Sequence, residues 1–411
     1  MLLFFLLFPK LAFAYLDPST GSALIYAIFG ISFTVFYTVK GYFYSLKNFV
    51  FNKKAKKLNI NQDIIFFTEG GQYKNTFIPI LKNLDQKSIS YKIFTLDEND
   101  EILKHSKNAE YLGSGAYAFA VLSNLTAKVL VCTTPQLDVL QFKKSKHVKH
   151  YIHVVHSCTD ISFYKRYALD HFDSVFISGS HQESTIREME KLRGYKPKNL
   201  VKTGLCYFDE MTNEVKPSIE VKEQKTILVA PSWGANGMFT LYGVEFLSSL
   251  KNINCKVIIR PHPQIKISQP DIFVNIKSFV QNSQNFELDE GATPERALSC
   301  ADFLISDFSG IIFDFVFLKE MPAFILEYNA NLKGYEAEDL PNKPIWELEV
   351  IKQIGLLIKK ENLSNLDEII KNIDILEYKN NIIKLKQNSI YNFGKAGESV
   401  AKEILNICST L

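Results

Sequence analysis

From Asp63 onward the chain alternates short apolar runs with longer amphipathic stretches. Asp63–Thr68, Tyr91–Leu96, Lys128–Thr133, Tyr151–Val155 and Ser174–Ser178 are rich in Val, Ile, Phe and Tyr and read as strands. Helix-length segments separate them, the first around Lys74–Leu84, and Ser180-His181-Gln182-Glu183 has the spacing of a capping box opening another. Between about Asp209 and Lys225 the pattern breaks, with Asn213, Pro217 and several charges interrupting it. It then restarts with Thr226–Ala230, Lys256–Arg260, Phe303–Ile305 and Ala323–Leu326. Strand–helix alternation in two successive blocks predicts an α/β protein with two doubly wound, Rossmann-like domains facing a cleft. The boundaries expected are 59–212 for the first domain and 213–411 for the second. In such sheets ligands gather at the carboxyl ends of the strands.

Residues 1–58 follow a different pattern. A short apolar run ends in Ala12-Phe13-Ala14, spaced like a signal-peptidase site but without a charged start. The uncharged stretch Ser22–Val39 is long enough, at 1.5 Å rise per residue, to approach the thickness of a bilayer core, and predicts a single transmembrane helix, with a buried amphipathic element as the alternative. Lys40, Lys47, Lys53, Lys54, Lys56 and Lys57 follow it, with no acidic residue before Asp63. This one-sided charge places the rest of the chain on the cytoplasmic side and gives the Lys40–Lys57 stretch a surface for anionic lipids.

Composition narrows the function. With 46% hydrophobic and 22% charged residues among 411, the chain has ample material for globular cores. A formal charge of +3 is too small to suggest nucleic acid as a partner of the whole molecule. The six cysteines form no C-x-x-C pair, which fits buried thiols in a reducing compartment. G-x-S-x-G, Walker P-loop and H-E-x-x-H motifs are missing, so the hydrolase, P-loop and zincin readings fall away.

The remaining motifs all lie at predicted strand ends. Arg260-Pro261-His262-Pro263 pairs a bidentate phosphate binder with a group able to donate a hydrogen bond or proton, both held by prolines. The plainer alternative is a rigid turn. Ser306-Asp307-Phe308-Ser309-Gly310 leads into a helix at Ile311–Leu318; Ser309 is the expected N-cap, and Gly310 lets an anion approach the first amides. Asp307 would repel a phosphate and is expected to orient a histidine, a hydroxyl or the loop itself. Asp314, in an apolar run, needs a partner if buried and is expected to be structural. His147, His150, His153 and His156 recur every third residue, but in a strand they alternate faces, so no metal site is expected. His156, at the strand's end, is the candidate general base, and the other three are assigned satisfied structural roles. Ser232, in Ala230-Pro231-Ser232-Trp233-Gly234, and Gly204, after Thr203, are candidates for the donor side. Glu69, Gly70 and Gly71 are candidates for the acceptor side.

Taken together these segments resemble the CDP-glycerol glycerophosphotransferase family, which makes polymers of the teichoic-acid type. The resemblance runs from about Tyr151 to the carboxyl terminus. It is carried by His156, Thr203-Gly204-Leu205, Leu228–Trp233, Arg260–Pro263, Ile305–Phe315 and Gly394–Ser399. Where the family has a Trp-His-Gly-Thr-Pro type of segment, this chain has Val155-His156-Ser157-Cys158-Thr159-Asp160. The resemblance implies a GT-B-like fold, no cofactor or metal, and a CDP-alcohol as substrate. It also implies a polymeric or lipid-linked envelope acceptor and a place at the bacterial inner membrane. His156 would take the acceptor's proton, Arg260 and His262 would stabilise phosphate charge, and the Ser309-Gly310 helix start would hold the diphosphate. Two alternatives stay open: a GT-B glycosyltransferase using a nucleotide sugar for surface polysaccharide, and a non-catalytic membrane-attached binding protein on the same fold.

Overall fold

A computed structural model of the chain describes residues 60–215, 224–330 and 332–411. The expected signal-like segment, the Ser22–Val39 span and the Lys40–Lys57 stretch lie outside the described residues. Among the described residues no helix is long and apolar enough to cross a membrane.

The first half is a seven-stranded parallel sheet. Its strands are β1 (Ile64–Thr68), β2 (Lys92–Thr95), β3 (Ala109–Tyr111), β4 (Thr126–Cys132), β5 (His147–Val154), β6 (Ser174–Ile177) and β7 (Asn199–Lys202). They lie in the order β3-β2-β1-β4-β5-β6-β7. The second half is a six-stranded parallel sheet of β8 (Lys225–Val229), β9 (Cys255–Ile259), β10 (Phe286–Leu288), β11 (Phe303–Ser306), β12 (Ala323–Leu326) and β13 (Gly355–Ile358). Its order is β10-β9-β8-β11-β12-β13. Central strands such as β1 and β8 bury nearly every residue, as strands covered by helices on both faces must. In each sheet the order reverses direction at the first strand, between β1 and β4 and between β8 and β11, which opens a crevice there.

Each half has its own core, one centred on Phe66, Phe77 and Phe176 and the other on Ile227, Phe246 and Phe324. The chain does not finish where it is expected to by position. The final helix, Ala396–Thr410, lays Ala396, Val400, Ala401 and Ile404 into the first core, against the helix Lys74–Gln86. Asp209 fixes this return by accepting hydrogen bonds from the Ala396 and Gly397 amides at 2.9 and 2.7 Å. The halves are tied a second time by Arg193, which pairs with Asp170 on its own side and with Glu336 and Asp339 across the junction.

The Ser180 capping box does not form. Gly179 is the N-cap of the helix Ser180–Arg193, no side chain caps it, and Gln182 instead accepts from the Ser178 amide at 2.8 Å. The reason is close packing: a Cβ on Gly179 would lie 1.8 Å from the Ser389 carbonyl oxygen, so the entry leaves no room for a capping residue.

Candidate active site

In the second half, Asp307 organises the crevice between β8 and β11. It is buried, and its two carboxylate oxygens accept from the Ser232 amide (2.8 Å), the Ser232 hydroxyl (2.6 Å) and the Met238 amide (2.9 Å). They also accept from the Phe308 and Ser309 amides at 2.7 and 3.1 Å. Ser306, equally buried, donates to the Ala230 carbonyl at 2.7 Å. Ser306, Ser232 and Asp307 therefore lie beneath the floor and lock the loop after β8 to the loop after β11. Of the three roles expected for Asp307, the structure displays orientation of a hydroxyl and of the loop.

Arg260 and His262 project from the end of β9. The Arg260 guanidinium is buried against Asp289 at 2.7 Å. Burial alone would raise the Asp289 pKa, but the pairing with Arg260 outweighs it and holds the carboxyl low. His262 caps the helix Pro263–Ser268: its Nδ1 accepts from the Gln264 amide at 3.1 Å. An imidazole accepting through Nδ1 carries its proton on Nε2, which is then a neutral donor. The cleft walls and the Arg260 charge hold the His262 pKa down to about 4, so the ring is uncharged at neutral pH.

The helix after β11 spans Ile311–Lys319, with Gly310 as N-cap. Ser309 does not cap it, because its own amide is drawn down to Asp307 and its carbonyl accepts from Ile312. The Gly310 and Ile311 amides have no backbone acceptor among the described residues. A Cβ on Gly310 would sit 3.5 Å from Ser157 Oγ, ordinary contact distance, so the helix start faces the segment after β5.

That segment carries His156. Its ring meets Tyr73 edge-on at 4.9 Å and stacks on Tyr164 at 5.8 Å, and its Nδ1 is enclosed without a partner. Burial lowers its pKa to about 4. His147 is exposed, and His150 bonds the Ser174 hydroxyl at 2.7 Å. His153 departs from the expected satisfied role: fully buried between Tyr164 and Phe172, it has no partner on either ring nitrogen among the described residues. No cluster able to hold a metal ion occurs among the described residues.

His156, Arg260, His262, Ser309 and Gly310 line one cleft of about 340 Å³ between the halves. Gly204 lies outside it. At φ +93°, a Cβ there would come within 2.0 Å of the Tyr391 carbonyl oxygen, and the Gly204 amide already donates to Ile177. Its place is under the returning carboxyl-terminal segment. Glu69 borders a different cavity of about 400 Å³, largely apolar, with Phe119, Thr134, Leu140 and Phe142 at the β1/β4 crevice. Gly70 and Gly71 line neither; they pack towards Asp97 and Asp100.

A fold of two parallel sheets is shared by many enzymes, so the decisive finding is at the level of sequence family. Residues 49–340 match the family described as CDP-Glycerol:Poly(glycerophosphate) glycerophosphotransferase. The chain belongs to that family. Among solved structures, the chain is similar to the wall teichoic acid polymerase TagF, at 16% identity and a TM-score of 0.55. The match covers 89% of this chain and 96% of that one. It is also similar to S. aureus MnaA in complex with UDP, at 14% identity and a TM-score of 0.55, covering 84% and 97%. A UDP-N-acetylglucosamine 2-epimerase gives 13% identity and a TM-score of 0.54, covering 85% and 98%. These likenesses establish a GT-B-like α/β fold with two parallel sheets. No curated protein matches the sequence.

Several residues at and around the cleft were given no role there by sequence reasoning. Tyr73 meets the His156 ring edge-on and Tyr164 stacks on it, and Trp233 stacks near His262 at 6.0 Å. Asp314, expected to be structural, lines the cleft. Behind the His156 loop, Asp160 accepts from Ser162 and from Thr185 at 2.6 Å, while Glu347 accepts from the Asp160 amide. Burial and the nearby Asp160 push the Glu347 pKa well up, which favours its protonated form.

Proposed function

We propose that the protein transfers a polyol phosphate of the glycerol-phosphate type from a CDP-activated donor to an envelope polymer or lipid-linked acceptor in teichoic-acid-type synthesis. The observation that carries this reading is the single cleft that joins His156 from the first half to Arg260, His262 and the Ser309-Gly310 helix start from the second. Membership in the family supports the CDP-linked donor, and the TagF structure was itself obtained with CDPG.

In the proposed reaction the acceptor hydroxyl attacks the β-phosphorus of the donor. The new oxygen–phosphorus bond forms as the bond from the β-phosphorus to the α–β bridging oxygen breaks, and that electron pair leaves with CMP. His156, uncharged at neutral pH, takes the hydroxyl proton and returns it to solvent. A bound diphosphate would favour the imidazolium and raise the His156 pKa during turnover. His262 Nε2–H and the Gly310 and Ile311 amides supply donors to the phosphates, and Arg260 adds positive charge already aimed by Asp289. The apolar Glu69 cavity lies on the acceptor side. Tethering through Ser22–Val39 and Lys40–Lys57 would hold the cleft at the cytoplasmic face of a bacterial inner membrane, beside anionic lipid and a membrane-borne acceptor.

The test is product release from the purified full-length protein in detergent, given an envelope lipid extract and CDP-glycerol, CDP-ribitol or nucleotide sugars in turn. CMP released only with a CDP-alcohol and acceptor is the expected result. A nucleoside diphosphate released from a sugar donor would replace this reading with glycosyl transfer.

A further inference from the structure

Asp314 is a residue that neither the catalytic nor the scaffolding role accounts for. It stands in the first turn of the helix Ile311–Lys319, one turn beyond Gly310, and lines the cleft with Ser309, Gly310 and Ile311. Side chains on a helix lean towards its amino terminus, so the Asp314 carboxyl leans towards the two free amides. Among the described residues it has no hydrogen-bond or ion-pair partner, although its neighbours Ile312, Phe313 and Phe315 are fully enclosed in apolar packing. A partnerless anion at this place would repel a diphosphate and would itself lack compensation.

We propose that Asp314 is held as a neutral carboxylic acid and donates a hydrogen bond to the phosphates of the bound donor, completing the set begun by the Gly310 and Ile311 amides. This rests on the reading that the cleft binds a CDP-alcohol. Burial raises the Asp314 pKa to about 8, against the helix dipole, which favours the charged form. The groups facing it do not supply a compensating charge. His156 and Cys158 come from the segment after β5, the first uncharged and the second a buried thiol. From the end of β9, Arg260 is engaged by Asp289 and His262 is neutral. Tyr207 lines the same cleft, and Glu347, on the helix Trp346–Ile354, favours its protonated form. On the packed helix Ile375–Ser389, Lys386 pairs with Glu320 at the far end of the Asp314 helix.

The experiment is calorimetric titration of the intact protein with CDP-glycerol between pH 6 and 9.5, for the wild type, Asp314→Asn and Asp314→Ala. A diphosphate esterified at both ends does not itself titrate in that range. For the wild type, Kd is expected to be flat to about pH 8 and then to weaken by about tenfold per pH unit as the acid ionises. Asp314→Asn, which keeps a donor and cannot ionise, is expected to bind within about threefold of wild type at pH 7 and to lose the alkaline weakening. Asp314→Ala is expected to bind about tenfold or more weakly than the wild type at pH 7 and to lose the alkaline weakening. A wild-type Kd that does not change up to pH 9.5, or an alkaline weakening that persists in a folded Asp314→Asn protein, would overturn the proposal. If the wild type binds no CDP-glycerol at any pH, the donor assignment itself has failed, which is a separate result.

Discussion

Asp307 is the point at which the second half of the cleft is most exposed to perturbation. Five donors converge on its carboxylate: the Ser232, Met238, Phe308 and Ser309 amides and the Ser232 hydroxyl. Asp307→Asn preserves size and one acceptor oxygen. On the other side the new amide nitrogen can donate to the Ser232 hydroxyl, which turns round to accept, but it cannot accept from Met238. The Met238 N–H and the second amide N–H then face each other without acceptors, at a cost of about 1–3 kcal/mol each. Asp307→Ala removes every acceptor at once, strands four amides and opens a void, and should cost distinctly more than the asparagine variant. Ser232→Ala loses one hydroxyl and should cost about 1 kcal/mol. The order of midpoints in urea should therefore be wild type, Ser232→Ala, Asp307→Asn, Asp307→Ala. Trp233, next to Ser232, and Trp346 are the chain's two tryptophans and report the transition by fluorescence. Because the same bonds set the Phe308–Gly310 loop, donor affinity should decline in that order too. An Asp307→Asn protein with the wild-type midpoint and wild-type donor affinity would refute the argument.

Alanine at His156 or at His262 should lower the rate of CMP release on the order of 10²-fold or more in each case, and undiminished activity in both variants would remove them from the chemistry. His153 makes a prediction about acid stability. Burial lowers its pKa from 6.5 to about 3, so between those values the unfolded chain binds a proton that the folded protein refuses. Stability from this group is complete above pH 6.5 and is lost by about 1.4 kcal/mol per pH unit as the pH falls towards 3. His153→Phe, of similar shape and flanked by the same rings, should flatten the dependence of the urea midpoint between pH 6.5 and 5; an unchanged slope would contradict this. Gly204→Ala should destabilise the junction with the carboxyl-terminal segment, since its Cβ would meet the Tyr391 carbonyl oxygen at 2.0 Å, and a thermal midpoint equal to wild type would show that the segment is not held there.

The parts of the cleft that could be read from sequence are those fixed by local grammar. An apolar run followed by Arg260-Pro261-His262-Pro263 or by Ser309-Gly310 declares a strand end and a turn, and parallel strand ends converge whatever the intervening helices do. His156 was legible for the same reason, as the first polar position after a buried strand. What could not be read depends on partners distant along the chain. Gly204 looked like a donor-side glycine, yet it faces Tyr391, which only the returning carboxyl-terminal segment brings there. Asp314 sat in an apolar helix whose faces look alike until its packing partners are known. Glu69, Gly70 and Gly71 do end a strand at a crevice, but it is the crevice of the first sheet, and its cavity is separate from the one His156 lines. The Ser180 box failed because a neighbour's carbonyl occupies the space over Gly179, and the Ser309 cap failed because Asp307 had a stronger use for that amide.

The most direct test of the central claim follows one atom. CDP-glycerol labelled with ¹⁸O in the α–β bridging position is given to the full-length protein with acceptor, and the products are weighed by mass spectrometry. Attack at the β-phosphorus in this cleft predicts that the label leaves entirely in CMP, while unlabelled glycerol phosphate appears on the acceptor and His156→Ala slows both on the order of 10²-fold or more. Unlabelled CMP, or label carried into the acceptor, would contradict the account.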